Sequence, residues 1–159
     1  MIKIINDDII RVCNDGYWIA HQCNMVSRYV SGLASDIYIN YKQADKRNGT
    51  VYNKDKYGKI DYEKFNNFGV INMYAQYLPG GYYVGCDKNN IDKEHNRHNA
   101  FKSCLDEIVL LIYKEDIKKL AFPYGIGCGL AKGNWDVYIE MLEQFSKSVE
   151  IDVILVSKI

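Results

Sequence analysis

Residues 122–135 read Phe122-Pro123-Tyr124-Gly125-Ile126-Gly127-Cys128-Gly129-Leu130-Ala131-Lys132-Gly133-Asn134-Trp135, a glycine-dense turn between an apolar run and an amphipathic one. Four glycines within nine residues let main-chain N–H groups face one concavity at the start of a helix, a cradle that holds phosphate with little formal charge. The plainer alternative is a tight strand-to-helix turn that the glycines merely permit. Lys132 is followed by Gly133 instead of Ser or Thr, so the segment is not a P-loop. It also comes after most of the expected strands, whereas the dinucleotide fingerprint follows the first one. An anionic ligand is expected, in a different architecture.

Outward from this turn the chain alternates between two periodicities. Residues 119–122, just before it, form an apolar run of strand length, and Trp135, Tyr138, Met141, Leu142 and Phe145, just after it, recur at helical spacing. Phe101, Cys104, Leu105, Ile108, Leu111 and Ile112 mark a second amphipathic helix, and Leu33, Ile37, Tyr38 and Tyr41 a third over about 32–44. Residues 2–5, 17–23, 70–77, 82–86 and 152–156 supply further strands, with 70–77 and 82–86 reading as a hairpin broken at Leu78-Pro79-Gly80-Gly81. Such alternation predicts an α/β fold with helices on both faces of a central, parallel or mixed sheet. Residues 45–67 and 87–99 are polar and lack a period, so both are expected as exposed excursions, the first with room for a short strand.

Hydrophobic residues make up 48% of the 159, enough for an ordinary core and one domain over 1–159. Twenty Lys and Arg balance twenty Asp and Glu, so no global field gathers nucleic acid or an anionic membrane. The apolar run at the N-terminus is too short for a signal peptide, and no apolar stretch nears the roughly 20 residues of a membrane helix. Five cysteines form an odd set without Cys-x-x-Cys spacing, which indicates neither a disulfide framework nor a metal site, and makes the reducing cytoplasm the expected compartment. The chain is read as a monomer without a cofactor.

A second ligand-binding candidate follows the second strand: His21-Gln22-Cys23-Asn24, then Ser31-Gly32-Leu33-Ala34 opening a helix. Ligands of parallel sheets collect beyond the carboxyl ends of the strands, so this helix start and the glycine turn are expected to face one crevice, an arrangement suited to a diphosphate. Asp7-Asp8 ends the first strand on the same edge, where a carboxylate either accepts from an adenine amino group or caps the next turn.

These residues carry a resemblance. Asn6-Asp7-Asp8-Ile9, His21-Gln22-Cys23-Asn24, Ser31-Gly32-Leu33-Ala34, Ile71-Asn72-Met73-Tyr74-Ala75-Gln76 and the Pro123 to Trp135 turn stand in the order seen in macro domains, the ADP-ribose-binding fold. The chain resembles most the small branch from phages, bacteria and yeast that includes ADP-ribose-1''-phosphate phosphatases and enzymes removing ADP-ribose from protein. The resemblance implies a three-layer α/β/α fold around a mixed sheet. It implies that Asp8 is the adenine-binding acid with Ile9 its backbone partner, and that Asn24 lies beside the distal ribose. Ser31, Gly32, Leu33 and Ala34 resemble the first diphosphate loop, and Gly125, Ile126, Gly127, Cys128, Gly129 and Leu130 the second. Two features depart from the pattern. Val30-Ser31 stands where many macro domains carry a Gly-Gly or Gly-Ala pair, and Ala131 takes the place of the catalytic Asp of the acylester-hydrolysing relatives.

The catalytic expectation rests on His21 and Asn24. A histidine near neutrality relays a proton during attack of water on a terminal phosphate, and the alternative is a strand-end histidine satisfied by backbone. Asn24 orients water or the distal ribose hydroxyls, or else bonds its own turn. Cys128 has no paired histidine and also suits core packing. His95 and His98 lack carboxylate companions and read as solvated. Trp135 and Tyr138 are expected to pack the last helix on the sheet, and Asn72 and Gln76 share one strand face, satisfying buried backbone or supporting the distal ribose. The leading expectation is hydrolysis of ADP-ribose-1''-phosphate to ADP-ribose and phosphate without a metal. Its rivals are removal of ADP-ribosyl groups from macromolecules and binding of an ADP-ribose-type nucleotide without chemistry.

Overall fold

A computed structural model describes residues 2–25, 32–47, 54–77, 94–129 and 131–158. Ten elements follow in chain order: β1 (Lys3–Asn6), α1 (Ile9–Val12), β2 (Trp18–Asn24), α2 (Gly32–Asn40), β3 (Ile60–Lys64), β4 (Gly69–Gln76), α3 (Glu94–Glu115), β5 (Lys119–Pro123), α4 (Trp135–Ser148) and β6 (Asp152–Ser157). The strands form one sheet in the order β1-β6-β5-β2-β4-β3. Every neighbouring pair is parallel except β3 with β4. The sheet is therefore mixed, and its five parallel strands direct their C-terminal ends to one edge.

The side-chain alternation of the strands divides the interior into two layers. Ala20, Ile71, Leu120 and Leu155 face α3 and α4, meeting Phe101, Ile108, Tyr138 and Leu142. Ile19, Val70, Ala121 and Ile154 face α1 and α2, meeting Ile9, Val12, Ile37 and Tyr38. This is the expected α/β/α sandwich. Each large apolar side chain removed from water contributes about 1.5–3 kcal/mol, and α3 alone buries Phe101, Leu105, Ile108, Leu111 and Ile112.

The expected strands and helices form at nearly their expected positions, with three differences. First, the antiparallel partner of β4 precedes it: β3 arises within the polar 45–67 excursion, pairing Ile60 with Met73 and Lys64 with Gly69. The expected partner at 82–86 lies outside the described residues, as do Leu78 to Gly81, Ser31 and Leu130. Second, α3 begins at Glu94, so part of the second polar stretch is helical and buries Arg97 and Ala100. Third, a helix too short to show a period, α1, follows β1 directly. Asp8 starts it, its Oδ1 accepting from Ile10 N at 2.9 Å. No described helix is long and apolar enough to cross a membrane.

Candidate functional site

Above the C-terminal ends of β2 and β5 lies a cavity of about 370 Å³, lined from one side by Gly32, Leu33 and Ala34 and from the other by Gly125, Ile126, Gly127 and Gly129. The two loops expected to share a crevice do share one. A second cavity of about 530 Å³ opens above β1 and β6, lined by Asp8 and Ile9 among others. Leu33, Pro123 and Tyr124 border both. The two cavities thus lie side by side along the strand ends, between β1 and β4 in the sheet order.

The glycine turn takes its shape from close packing. Gly125 and Gly127 have φ of 78° and 77°, in the left-handed region. A Cβ at Gly127 would stand 2.7 Å from Tyr138 Cε1, so the α4 ring presses on the main chain there. Gly133 N donates to Gly127 O at 2.9 Å, closing the turn, and Asn134 caps α4 by accepting from Asp136 N at 3.0 Å. Not every amide of the segment points to the cavity. Ile126 N donates to Pro123 O at 3.1 Å, and Cys128 N to Gly125 O at 2.9 Å. Cys128, expected among the ligand contacts, lines neither cavity and packs against the α3/α4 core. With glycine on both sides, the turn is free to direct its side chain inward, and burial pushes its thiol up to about 11.

At the β2 end His21, expected as a proton relay, lines the first cavity and belongs to a buried hydrogen-bond cluster. Asn72 Nδ2 donates to Ala44 O at 2.8 Å and to Asp61 Oδ1 at 2.7 Å, so its Oδ1 faces His21 Nε2 at 2.8 Å and accepts from Tyr38 OH at 2.7 Å. That arrangement fixes the tautomer: His21 carries its proton on Nε2. His21 is buried, lies edge-on to Tyr38 with centroids 5.4 Å apart, and has its pKa lowered to about 4 by desolvation. It is neutral at pH 7, satisfied by a side chain where backbone was the alternative considered. Cys23 Sγ sits 3.5 Å from Tyr38 OH, and burial pushes this thiol up to about 12.

Asn24 lines the first cavity, as does Gln76, the partner of Gln22 at 3.0 Å. Gln22 Oε1 is the one buried side-chain N or O atom among the described residues without a hydrogen-bond partner, and it lies beside Gly127. Ala131 also lines this cavity, its carbonyl accepting from buried Arg97 at 3.3 Å. Of the described residues lining the first cavity, Arg47 is the only one with a formal charge. Sequence reading missed it because 45–67 has no period. It also missed Tyr124 as the border of both cavities, although Tyr124 stands within the glycine turn. Tyr124 is exposed and pairs with Trp135 at 4.9 Å between centroids. Of the histidines read as solvated, His95 is exposed but His98 packs edge-on against Tyr138.

In the second cavity, Asp8 combines its capping bond with a place in the lining, whereas the Ile9 side chain belongs to the α1/α2 core. Both alternatives considered for Asp8 are thus compatible in one residue, since a carboxylate has two oxygens.

No family model matches the chain. A curated relative, the uncharacterized 17.5 kDa protein in the tk-vs intergenic region of Enterobacteria phage T4, is 27% identical over 161 residues, covering 97% of this chain and 96% of its own. A solved protein of unknown function from Bacteroides thetaiotaomicron superposes with a TM-score of 0.72 at 22% identity, over 100% of this chain and 98% of that one. The macrodomain of Mycobacterium tuberculosis DarG gives 0.65 at 18% identity, over 98% and 97% of the two chains. The fold is that of a macrodomain. Thermosipho africanus DarTG, solved in complex with ADP-ribose, gives 0.60 at 21% identity, over 89% of this chain and 37% of that longer one. In this fold the two cavities follow the strand ends from Asp8, past Tyr124 and the glycine turn, to Asn24 and Arg47.

Proposed function

We propose that residues 1–159 act as one macrodomain that binds ADP-ribose derivatives and hydrolyses ADP-ribose-1''-phosphate to ADP-ribose and inorganic phosphate. The observation that carries this reading is the adjacency of the two cavities, which share Leu33, Pro123 and Tyr124 in their linings. An elongated nucleotide fits with adenine by Asp8 and Ile9, the diphosphate between Gly32–Ala34 and the glycine turn, and the distal ribose by Asn24. Diphosphate charge is met by main-chain dipoles, consistent with a net charge of zero. In this reading Asn24 is the catalytic residue, orienting the water that attacks the terminal phosphorus; the bond from phosphorus to the ribose oxygen breaks, and that oxygen takes up a proton from the water. His21, neutral and buried, is a positioning residue that keeps β2, α2 and β4 in register.

A second reading, binding without hydrolysis, draws support from one observation. None of the described residues lining the first cavity is a carboxylate, and its histidine is neutral. Incubation with ADP-ribose-1''-phosphate separates the two. Phosphate release above a heat-denatured blank, abolished in Asn24→Ala, is expected. ADP-ribose binding by calorimetry without release would establish the second reading. Release of free ADP-ribose from a modified protein would favour adduct removal, and no binding of ADP-ribose would refute all three.

A further inference from the structure

The groove is electrostatically lopsided. Between the two helix-opening loops the diphosphate position is surrounded by main chain and neutral side chains, yet a guanidinium stands at the far end. Arg47 follows the 3-10 turn Lys42–Ala44, which touches β3 and β4, the strands farthest from β1 and the Asp8 end. The side chain is built into place. Arg47 Nε donates to Asp45 Oδ1 at 2.9 Å and Nη2 to Asp45 Oδ2 at 3.0 Å, a fork-on-fork pair, while Arg47 N donates to Asp45 Oδ1 at 3.1 Å. Its Cζ lies 5.5 Å from the ring centroid of Tyr38, whose hydroxyl is anchored on Asn72. The side chain is 13% exposed, so much of its ordering entropy is already lost before any ligand arrives.

A cation is not needed at that end to hold a ribose, whose hydroxyls require only neutral partners such as Asn24 and Gln76. It is suited to an anionic group attached to that ribose. We propose that Arg47 is a specificity-determining residue, selecting ADP-ribose derivatives with a phosphate monoester on the distal ribose over ADP-ribose itself. The inference rests on reading the groove as an ADP-ribose site and adds to it the residue that sets substrate class. Asp45 acts as the positioning partner, aligning the guanidinium plane.

The test is titration calorimetry with ADP-ribose and with a non-hydrolysable analogue bearing a methylene phosphonate at C1'', on the intact protein and on Arg47→Gln and Arg47→Ala. Thermal melts establish that each variant is folded. The intact protein is expected to bind the phosphonate about 10- to 100-fold more tightly than ADP-ribose, the value of one charge-assisted hydrogen-bonding group. In either folded variant the two affinities should come within about threefold of each other. Equal affinities in the intact protein, or a preference that survives in a folded Arg47 variant, would overturn the inference and leave ADP-ribose binding standing. Failure of the intact, folded protein to bind either ligand would overturn both. A purely structural Arg47 would alter melting without changing the ratio of the two affinities.

Discussion

Protonating His21 has a calculable consequence for stability. Its folded pKa is about 4 against an ordinary value of 6.5, because the ring is fully buried and desolvation outweighs the opposing hydrogen bond to Asn72. The unfolded chain therefore binds a proton that the folded chain refuses. Stability is complete above the unfolded pKa and is lost as pH falls through 6.5 towards the folded value. Between about pH 7.5 and about pH 5, this single group should remove about 2 kcal/mol. His21→Gln supplies the control, since a Gln amide offers Asn72 Oδ1 the same donor without titrating near these values. Urea denaturation of both proteins at the two pH values gives the difference of differences, in which titrations common to both cancel. Parallel pH dependences, agreeing within about 0.5 kcal/mol, would refute the placement of a neutral, buried His21. They would also reopen proton transfer by this residue.

Asp8→Asn keeps an acceptor for Ile10 N but removes the carboxylate, so it should leave the melting temperature nearly unchanged while weakening ADP-ribose binding about tenfold; equal affinity would reduce Asp8 to a cap. Gly127→Ala places a methyl 2.7 Å from Tyr138 Cε1 on a left-handed backbone, and should cost about 1–3 kcal/mol in denaturant melts and lower ligand affinity. Asn134→Ala removes the α4 cap, with an expected loss of about 1 kcal/mol by the same measurement and ligand affinity within about twofold.

The parallel strands β4, β5 and β6 were legible because both of their faces are buried, which gives largely apolar runs such as Val153-Ile154-Leu155-Val156. On the sheet edge, β3 is half-buried and carries Asp61, Glu63 and Lys64 within five residues, so it resembled its polar surroundings. One turn of helix offers no period, and α1 announced itself only by its Asp8 cap. Glycine spacing located the turn at 125–133 but not the direction of Cys128, since backbone freedom at Gly127 and Gly129 leaves that to packing. His21 was visible as a chemical candidate, whereas its neutrality comes from its burial, which only the tertiary packing supplies. Arg47 reaches the groove through its pairing with Asp45 and its contact with Tyr38, neither of which has a local signature.

Tyr124 lines both cavities, so on the proposed reading the site measures the length of its ligand. On the proposed reading a molecule confined to one cavity forfeits every contact offered by the other, so a mononucleotide and a ribose phosphate would each meet half of the site. Joining those fragments through their phosphates adds the contributions within one molecule, and discrimination then comes from span as much as from any single contact. Shortening or lengthening the bridge between the halves would misplace one end, even with every functional group retained.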